Sequence, residues 1–463
     1  MIRLQETIEA PREPLDAFRY TSDFTHIEQW DPGIEESEKI TPGPPHVGTA
    51  YRLVVRSGVV RIPMRYVIRE YDPPRKVVLE GEGDRIHALD TIAFEPTEQG
   101  VRIVYTADLT FRSFLGSMES IMEARLRQVG RRAVEGLRSA LSEERPVPEA
   151  RKINALKDRL LAPGLLDFTR YGYRRGRKRW PPLAVNLMDR TMVVTGATSG
   201  LGRAAAERLA RMGARLILVG RDPEKTETAR REITDETGND RVLCRIADLG
   251  LVSHVRRLAE QLRHEESIHV LINNAGALFN QRDLTPEGIE QTLAVDLLGP
   301  FHLTNLLTPK LEASRPARIV NVSSGGMYTQ RVRVDDLPFE KGTYNGSVAY
   351  ARAKRGLVIL TEMWAERLES RGVAVHAMHP GWADTPGVAS SLPTFHKVTR
   401  KLLRTPAEGA DTIVWLAASE QAGRSTGRFW LDRQPRTTHV FPGTRETPED
   451  RQRLWSALEA LCG

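Results

Sequence analysis

Residues 191–202 have the sequence TMVVTGATSGLG, which decides the fold of the C-terminal part of the chain. The apolar run at its start predicts a buried strand, and the residues after Gly202 predict a helix that ends at Gly213. A strand, a glycine-rich turn and a helix are typical of a phosphate site, because glycines let the backbone approach a phosphate that the helix N-terminus attracts. Other turns between strands and helices also use glycines, so the turn alone is a weak signal. We assign five residues of this stretch to cofactor binding: Gly196, Ser199, Gly200, Leu201 and Gly202.

Length, charge and cysteine content set the broad class of the protein. A chain of 463 residues is too long for one ordinary core, so we expect two domains and a connector. The net charge of +7 is accounted for by residues 145–179, which hold eleven Lys/Arg and three Asp/Glu, so the charge does not indicate nucleic-acid binding. We find no secretion signal, no apolar run long enough to span a membrane, and only two distant cysteines. We therefore expect a cytoplasmic protein without a metal site.

Residues 1–144 have the pattern of an α+β domain. Alternating apolar residues from Ile2 predict a half-buried strand, and residues 14–26 predict one or two short helices. Turn residues separate five further predicted strands at 49–56, 59–71, 76–82, 86–94 and 101–111. A long helix with apolar positions is predicted at 114–141. We find no constellation of residues here that demands chemistry.

This order of elements resembles the helix-grip fold of the polyketide cyclase/START-like superfamily. The resemblance covers nearly all of residues 1–144 and rests on the pattern of elements more than on a motif. In that superfamily a curved sheet wraps a long helix around an apolar cavity that usually holds a lipid-like or aromatic ligand. The resemblance therefore implies a module that binds a small hydrophobic or lipid-like ligand.

The connector, residues 145–185, is basic and has an apolar face. Its segment RYGYRRGRKRW at 170–180 interleaves arginines with tyrosine and tryptophan. Such a segment can make a peripheral contact with an anionic membrane surface. It can also be a solvated arm that docks on the following domain, which is the interpretation we favour because most such charge runs are solvated.

Residues 186–463 continue with alternating strands and helices. The strands that follow the opening stretch are predicted at 215–219, 242–248, 270–273, 318–322 and 373–379. This alternation predicts an α/β Rossmann fold, a doubly wound parallel sheet that binds ligands at the carboxyl ends of its strands. Arg221 follows the second strand, where a guanidinium suits the 2′-phosphate of NADP and a carboxylate would suit NAD. We expect NADP, and Asp222 at the next position keeps NAD as the less favoured cofactor.

The next two strand ends add further candidates for the cofactor site. Asp248 and Leu249 end the third strand, where a carboxylate could accept a hydrogen bond from the adenine amino group. Asn274 and Gly276 follow the fourth strand, where small residues let the backbone lie against the cofactor. We therefore assign all four residues to cofactor binding.

Tyr350 and Lys354 are the candidates for acid/base chemistry. A spacing of four residues on a predicted helix places both side chains on one face. A phenol with a pKa of about 10 is a poor base near neutral pH, and a neighbouring ammonium lowers its pKa by favouring the phenolate. The pair can then exchange the proton that accompanies hydride transfer. Ser324, just after the strand at 318–322, supplies a hydroxyl for a substrate oxygen, and Ser323 is the weaker candidate.

Across residues 186–435 the chain resembles the short-chain dehydrogenase/reductase family in the order of its motifs: the glycine-rich turn, the residues at the strand ends, Ser324, and the pair of Tyr350 and Lys354. The long stretch between Ser324 and Tyr350 is similar to the retinol-dehydrogenase-like branch. The resemblance implies that Tyr350 is the acid/base, that Ser324 orients the substrate, and that Lys354 lowers the tyrosine pKa and holds the nicotinamide ribose. It also implies that Pro380 and Thr385 lie at the nicotinamide end of the cofactor. Members of this family commonly form homodimers or homotetramers.

Asp296 departs from the family pattern. Many members carry asparagine at this place, in a Val-Asn-x-x-Gly setting that positions a water for proton relay. An ionised Asp296 would favour the Lys354 ammonium and oppose the Tyr350 phenolate. We include Asp296 in the candidate catalytic set, with the proton relay in question.

Two functions follow from these observations. The first is an NADP-dependent oxidoreductase that interconverts a hydrophobic alcohol and its carbonyl form, fused to an apolar-ligand-binding module. The second is a non-catalytic protein in which a nucleotide-sensing fold regulates a lipid-binding domain, an alternative motivated by Asp296 and by the fusion itself. Turnover of NADPH that depends on Tyr350 would distinguish them.

Overall fold

The computed structural model describes residues 2–41, 44–57, 60–84, 86–111, 119–142, 166–177, 180, 183 and 185–463. Contacts within the chain define two compact units, Met1–Arg145 with Arg177–Asn186 and Pro146–Gly176 with Leu187–Gly463. The boundaries at 144 and 186 stay predictions. Within the described residues, no helix combines the length and the apolarity that a transmembrane span requires.

The first unit contains an antiparallel sheet and a long helix. Its described strands are β1 (Ile2–Ala10), β2 (Ile34–Lys39), β3 (Ala50–Ser57), β4 (Val60–Asp72), β5 (Lys76–Glu82), β6 (Ile86–Thr97) and β7 (Gly100–Phe111). They pair in the order β1-β7-β6-β5-β4-β3-β2. The described helices are α1 (Pro14–Ser22), a 3₁₀ turn (Phe24–His26), α2 (Ile27–Trp30) and α3 (Glu119–Leu141).

Alternating burial explains how this sheet and its long helix pack. Strand β6 alternates between buried and partly exposed residues, so one face carries Ile92 and Phe94 into the core, where Leu137 of α3 also lies. The α+β class and the helix-grip arrangement are confirmed by the match reported below. Strand β2 was not predicted, because its sequence IEESEK lacks apolar alternation and the strand lies at the sheet edge. The start predicted for the long helix at 114 lies outside the described residues.

The second unit is a doubly wound sheet. Its described strands are β8 (Thr191–Thr195), β9 (Arg215–Gly220), β10 (Val242–Ile246), β11 (Val270–Asn273), β12 (Ala317–Val322), β13 (Val373–Met378), β14 (Arg428–Leu431) and β15 (Gln434–Arg436). The connecting helices are α4 (Arg170–Arg177), α5 (Gly200–Arg211), α6 (Pro223–Thr237), α7 (Val252–Arg263), Gln291–Leu293, a π-helical turn (Ala294–Leu298), α8 (Gly299–Ala313) and α9 (Gly346–Leu368). The last helices are α10 (Pro386–Ser391), α11 (Pro393–Thr399), α12 (Pro406–Ala418), α13 (Glu420–Gly423) and α14 (Pro448–Cys462).

The strand order confirms the predicted Rossmann architecture. The strands run β10-β9-β8-β11-β12-β13-β14-β15, and all pairs are parallel except the last. The order reverses between β8 and β11, which places a crevice at their carboxyl ends. All five residues of β8 are buried, as expected for a strand covered by helices on both faces.

Part of the basic connector docks on this second unit. Tyr173 of α4 is buried, and Arg170 and Arg174 lie 3.2 and 3.7 Å from the Glu408 carboxylate at the start of α12. The backbone oxygen of Phe168 accepts a hydrogen bond of 2.8 Å from Trp382 N. Residues 166–176 therefore behave as the docked arm that we favoured, and membrane contact through 170–180 stays a prediction.

Candidate active site

Tyr350 and Lys354 lie one turn apart on α9, as their spacing predicts. The Lys354 side chain is buried, and its Nζ lies 5.5 Å from the centre of the Tyr350 ring. It donates a hydrogen bond of 3.2 Å to the carbonyl oxygen of Val322, the last residue of β12. Asn345 caps the N-terminus of α9 by accepting a hydrogen bond from Val348 N, which sets where the helix begins. The helix thus presents both groups at the carboxyl end of the sheet.

Asp296 forms a buried ion pair with Lys354. Its Oδ1 lies 3.0 Å from Lys354 Nζ, although the geometry is not that of a hydrogen bond, and its Oδ2 accepts a bond of 3.3 Å from Ala277 N. A Cβ atom at Gly276 would lie 2.5 Å from the carboxylate and 2.9 Å from the ammonium, so only glycine leaves room for this pair. Asp296 belongs to a π-helical turn, a local distortion that is frequent at functional sites.

Burial and charge set the proton affinities of this group. Burial raises the pKa of Tyr350; the Lys354 ammonium lowers it, Asp296 raises it, and a hydrogen bond with Ser324 lowers it. Burial lowers the pKa of Lys354, but the charges of Asp296 and Tyr350 outweigh it and the pKa is raised. The expected lowering of the tyrosine pKa by Lys354 is therefore present, but burial and Asp296 outweigh it. The Asp296 carboxyl also has a raised pKa because it is buried.

The two serines after β12 have different environments. Ser323 is buried and donates a hydrogen bond of 3.0 Å to the backbone oxygen of Lys354. Ser324 is half-buried, and its Oγ accepts a bond of 3.2 Å from Gly326 N. Since the Ser323 hydroxyl proton is already used, Ser324 is the serine available to a substrate oxygen.

The glycine-rich turn forms a tight cradle before α5. Gly196 and Gly200 have φ values of +64° and +55°, which favour glycine, and a Cβ atom at Gly202 would overlap the backbone oxygen of Gly196. Ser199 is exposed at the N-cap position, and no described side chain caps this helix end. The side chain of Leu201 faces Gly409 of α12, so Leu201 offers its backbone amide to the cradle.

Asn274 supports this cradle from the next strand. Its Nδ2 donates hydrogen bonds to the backbone oxygens of Thr195 and Gly196 at 2.8 and 3.2 Å. The Thr195 hydroxyl in turn accepts bonds from the backbone amides of Asn274 and Ala275, both at 3.0 Å. Asn274 therefore holds the turn in place, a positioning role beyond the backbone contact that the sequence suggested.

The ends of β9 and β10 carry the remaining polar candidates. Asp222 caps α6 by accepting a hydrogen bond of 3.0 Å from Lys225 N, whereas Arg221 is exposed and pairs with no carboxylate of the described residues. Asp248 Oδ1 accepts a bond of 2.9 Å from Gly250 N, and the following Leu249 is buried.

Thr385 closes the crevice from the loop after β13. Its hydroxyl caps α10 by accepting a bond from Val388 N, and its Cγ2 would lie 3.3 Å from a Cβ atom at Gly200. Pro380, in the same loop, accepts a bond of 3.2 Å from Arg404 Nη1 through its backbone oxygen. Thr385 and Pro380 therefore lie beside the glycine-rich turn and the start of α5.

Comparisons with known proteins agree with this geometry. The family model "short chain dehydrogenase" matches residues 190–394, and "Polyketide cyclase / dehydrase and lipid transport" matches residues 1–142. The human protein "Dehydrogenase/reductase SDR family member 12" is 41% identical over 307 residues, which are 65% of this chain and 96% of that protein. The chain belongs to the short-chain dehydrogenase/reductase family. The match over residues 1–142 agrees with the resemblance of the N-terminal part inferred from the sequence.

Other similar proteins come from the retinol-dehydrogenase branch and from solved structures. Bovine "Retinol dehydrogenase 12" is 37% identical over 282 residues, covering 60% of this chain and 88% of that protein. A solved structure of an uncharacterised protein from Mycobacterium paratuberculosis is 29% identical, with a TM-score of 0.49 and coverage of 60% of this chain and 95% of that one. Membership of this dehydrogenase/reductase family makes the chain an oxidoreductase.

The cradle of this short-chain dehydrogenase/reductase fits a dinucleotide. A side chain at Gly202 would fill the space against the turn, and the amides at the start of the 12-residue helix α5 point their positive end at the crevice. The exposed Arg221, with Asp222 used as a helix cap, fits a 2′-phosphate better than a ribose hydroxyl.

Sequence reasoning missed one wall of this active site. Phe168 of the docked arm lies edge-on to His379 with ring centres 4.5 Å apart, and a Cβ atom at Gly325, next to Ser324, would lie 3.2 Å from the Phe168 ring and 3.7 Å from the His379 ring. The buried Arg404 forms a bidentate ion pair with Asp432 and donates to backbone oxygens of the arm. The docked-arm interpretation of the connector predicted a contact with this domain but did not predict a place beside Ser324.

His379 is held neutral in this wall. Burial lowers the pKa of its imidazole, and the charge of Arg404 adds to the effect. Its Nδ1 accepts a hydrogen bond of 3.1 Å from Gly381 N, while the buried Nε2 has no partner among the described residues. The wall is therefore aromatic and uncharged on the side of the crevice near Ser324.

Proposed function

We propose that the chain is an NADP-dependent oxidoreductase that interconverts a hydrophobic alcohol and its carbonyl form. The observation that carries this proposal is the convergence of Tyr350, Lys354 and Ser324 beside the glycine cradle. The aromatic wall of Phe168 and His379 favours an apolar substrate, in line with the names of the retinol dehydrogenases to which the chain is similar.

Four side chains would have distinct roles in this reaction. Bound NADP supplies the hydride acceptor for alcohol oxidation, and NADPH the hydride donor for the reverse reaction. Ser324 and the Tyr350 hydroxyl hold the substrate oxygen, and Tyr350 exchanges its proton. Lys354 favours the tyrosinate through its positive charge, and we assign the nicotinamide ribose to the same ammonium group. Asp296 keeps Lys354 charged, because the ion pair raises the lysine pKa.

The remaining site residues would bind the cofactor. We assign the pyrophosphate to the backbone of the turn from Gly196 to Gly202, and the adenine to Asp248 and Leu249. The nicotinamide end would lie near Gly276, Pro380 and Thr385. The positions of these groups around one crevice support the assignment.

Arg221 gives the cofactor preference a direct test. Arg221→Asp should weaken NADPH binding by about tenfold or more, because a charge-assisted contact of 1.5–3 kcal/mol becomes a repulsion. NADH affinity should stay similar or rise, since a carboxylate suits the ribose hydroxyl. Fluorescence titration measures both constants, and unchanged NADPH affinity would overturn the role of Arg221.

Turnover tests the reaction itself. Purified full-length protein should consume NADPH with some member of a panel of apolar aldehydes and ketones, and Tyr350→Phe should abolish that consumption while leaving NADPH binding intact. Tyr344→Phe is the matched control, because Tyr344 bonds Thr292 and Glu290 outside the crevice. The alternative of a nucleotide-sensing protein that does not catalyse draws support from Asp296, which opposes the tyrosinate. It predicts tight NADPH binding without turnover across the whole panel.

For the N-terminal domain we propose the binding of an apolar, lipid-like ligand. Its family match and the apolar inner face of its sheet support this proposal. Native mass spectrometry and solvent extraction of the full-length protein test it. A co-purified lipid or isoprenoid is the expected result, and failure to bind any apolar probe would contradict the proposal.

Compartment and assembly complete the proposal. We propose the cytoplasm, because Cys244 and Cys462 are both free thiols, as a reducing compartment would leave them. We also propose a homodimer or homotetramer, as family membership suggests. Cell fractionation and light scattering of the purified protein test these two statements.

A further inference from the structure

A buried polar cluster lies on the inner face of the N-terminal sheet. Asp90 stands between Ala88 and Ile92 at an inward position of β6, and it is 5% exposed. Tyr66 of β4 and Tyr105 of β7 face the same core, where Tyr66 is also buried. A carboxyl group inside an apolar core is costly unless other groups bond to it, so three polar residues at core positions require a reason.

The backbone makes room for Tyr66 to reach Asp90. Tyr66 pairs directly with Gly81 of β5, and Leu79 of β5 pairs with Asp90 of β6. A Cβ atom at Gly81 would overlap the Tyr66 ring, so the ring lies across β5 where any other residue would have a side chain. The hydroxyl groups of Tyr66 and Tyr105 face the Asp90 carboxyl group and lower its pKa, as nearby hydrogen-bond donors do. Gly81 therefore provides the space through which Tyr66 approaches Asp90.

Trp30 adds an unpartnered donor to this cluster. It is 2% exposed, and its ring lies edge-on to Tyr105 and Phe24, with centres 6.2 and 6.4 Å apart. A Cβ atom at Gly136 would overlap the Trp30 backbone oxygen, so this glycine lets α3 pack closely over the tryptophan. Trp30 Nε1 is buried without an acceptor among the described residues. Such a donor is costly unless a bound molecule supplies an acceptor.

The charges around Asp90 act in one direction. Burial raises the pKa of Asp90 to about 7, and the carboxylates of Asp31 and Asp108 add to this effect against the two tyrosine hydroxyls. Asp31 is itself buried enough to have its pKa raised to about 6. The residues of α1 and α3 that pack into this core are mainly aromatic and aliphatic. Asp90 therefore changes between acid and carboxylate near neutral pH.

We propose that Asp90, Tyr66, Tyr105 and Trp30 form a second binding site, which holds an apolar ligand by its carbonyl or hydroxyl oxygen. In this site the two tyrosine hydroxyls donate to the oxygens of the Asp90 carboxyl group. The O–H of protonated Asp90 is then left to donate to the ligand. Trp30 supplies a further donor. The proposal rests on the proposed ligand-binding role of this domain and is independent of the reductase reaction. Ionised Asp90 has no proton to donate, so ligand affinity falls as the pH rises.

An apolar ketone with a fluorescence readout tests this site in the full-length protein. The probe is 6-propionyl-2-(dimethylamino)naphthalene, whose emission shifts to longer wavelength when its carbonyl accepts a hydrogen bond. Cofactor is omitted so that the ketone is not reduced. Wild-type affinity should fall by about tenfold or more between about pH 6 and about pH 8.5, because Asp90 ionises between them. The emission of the bound probe should shift to shorter wavelength over the same range.

Two substitutions at Asp90 separate the donor from its charge. Asp90→Asn keeps a donor that does not ionise, so binding should become independent of pH. Asp90→Leu removes the donor and should weaken binding by about tenfold at about pH 6. Asp108→Asn is the matched control, because Asp108 lies on β7 and pairs with Arg3. It should leave most of the pH dependence in place.

These experiments test the polar site and apolar ligand binding separately. Wild-type affinity that does not change with pH, or Asp90→Asn binding that keeps the wild-type pH dependence, would overturn this site while leaving apolar ligand binding intact. No probe binding by folded wild-type protein would overturn both. Where Asp90→Leu fails to fold by circular dichroism, Asp90→Asn still decides. Tyr66→Phe then gives a second test, because losing its hydrogen bond should move the midpoint to higher pH.

Discussion

Replacing Asp296 with asparagine tests whether a carboxylate sets the proton affinity of Tyr350. Lys354 Nζ lies 3.0 Å from Asp296 Oδ1 and 5.5 Å from the Tyr350 ring centre, so the carboxylate oxygen is at most about 8.5 Å from that centre. At an effective dielectric constant of about 20, two unit charges at about 8.5 Å repel by about 2 kcal/mol, which equals about 1.4 pKa units. Asparagine removes this repulsion and restores the residue that many family members carry.

The expected result is a lower pKa for Tyr350 in the Asp296→Asn enzyme. In the proposed reaction Tyr350 is the base in alcohol oxidation, so kcat/KM should rise with pH to a plateau whose midpoint reports this pKa in the free enzyme. We expect the midpoint to move down by about one unit, and the variant to be about tenfold faster well below it. Lys354 keeps its hydrogen bond to the Val322 carbonyl oxygen. The assay uses NADP and an apolar alcohol that the wild-type enzyme oxidises.

A second buried carboxylate provides the control. Glu265 pairs with Arg215 and Arg245 at 2.6 and 2.8 Å. Arg215 is the first residue of β9, so it lies at the amino-terminal ends of the strands, opposite the crevice. Glu265→Gln also removes a buried negative charge, but the midpoint of its pH profile should not change. If Asp296→Asn is folded and binds NADP, a midpoint that stays in place or moves up would refute the electrostatic argument.

Three further predictions follow from packing and ion pairs. Gly276→Ala should lower kcat/KM by about tenfold to a hundredfold, because its Cβ displaces the buried pair of Asp296 and Lys354. Gly443→Ala, whose Cβ meets no described atom within 4 Å, is the control in the same kinetic assay. Asp411→Asn should lower the free energy of unfolding by about 3–5 kcal/mol near neutral pH, because it removes the buried carboxylate that pairs with both Arg208 and Arg433. Those arginines lower the pKa of Asp411 below its value in the unfolded chain, so the stabilisation is present above about pH 4 and is lost as the pH falls further. Urea unfolding at several pH values should show that the free energies of unfolding of the wild type and Asp411→Asn converge below about pH 4. Phe168→Ala should raise KM for bulky apolar substrates while NADPH affinity stays the same, and the exposed Tyr171→Ala should change neither; an equal loss of NADPH affinity would contradict the substrate-wall role.

The Rossmann unit was predictable because its signals are local. The strand, turn and helix around Gly196 occupy adjacent residues, and parallel strands bring their carboxyl ends to one edge whatever the connecting helices do. Tyr350 and Lys354 needed only the helical period. The same reasoning also anticipated the direction in which Asp296 acts, because the effect of a charge on a neighbouring group needs only its sign.

What was not predictable depends on contacts between distant residues. The net proton affinity of Tyr350 requires its burial, which no spacing reports. The arm at Phe168 contributes a wall to the active site only because its backbone bonds to Trp382 and Arg404, more than 200 residues later in the chain. Strand β2 escaped prediction because an edge strand with one half-exposed face needs little apolar sequence.

The polar cluster in the N-terminal domain shows most clearly the difference between local sequence signals and contacts between distant residues. Along the chain, Tyr66, Asp90 and Tyr105 each look like ordinary members of alternating strands, where an isolated polar residue signals the solvent face. The strand register turns all three inward, and Gly81, which by sequence alone looks like a weak point in a strand, supplies the space that brings the first two together. A core that only needed stability would use apolar residues at these positions, since an apolar replacement of similar volume is often neutral or stabilising. The buried carboxyl group therefore argues for a ligand, and the Asp90 variants test whether an apolar oxygen-bearing ligand binds there.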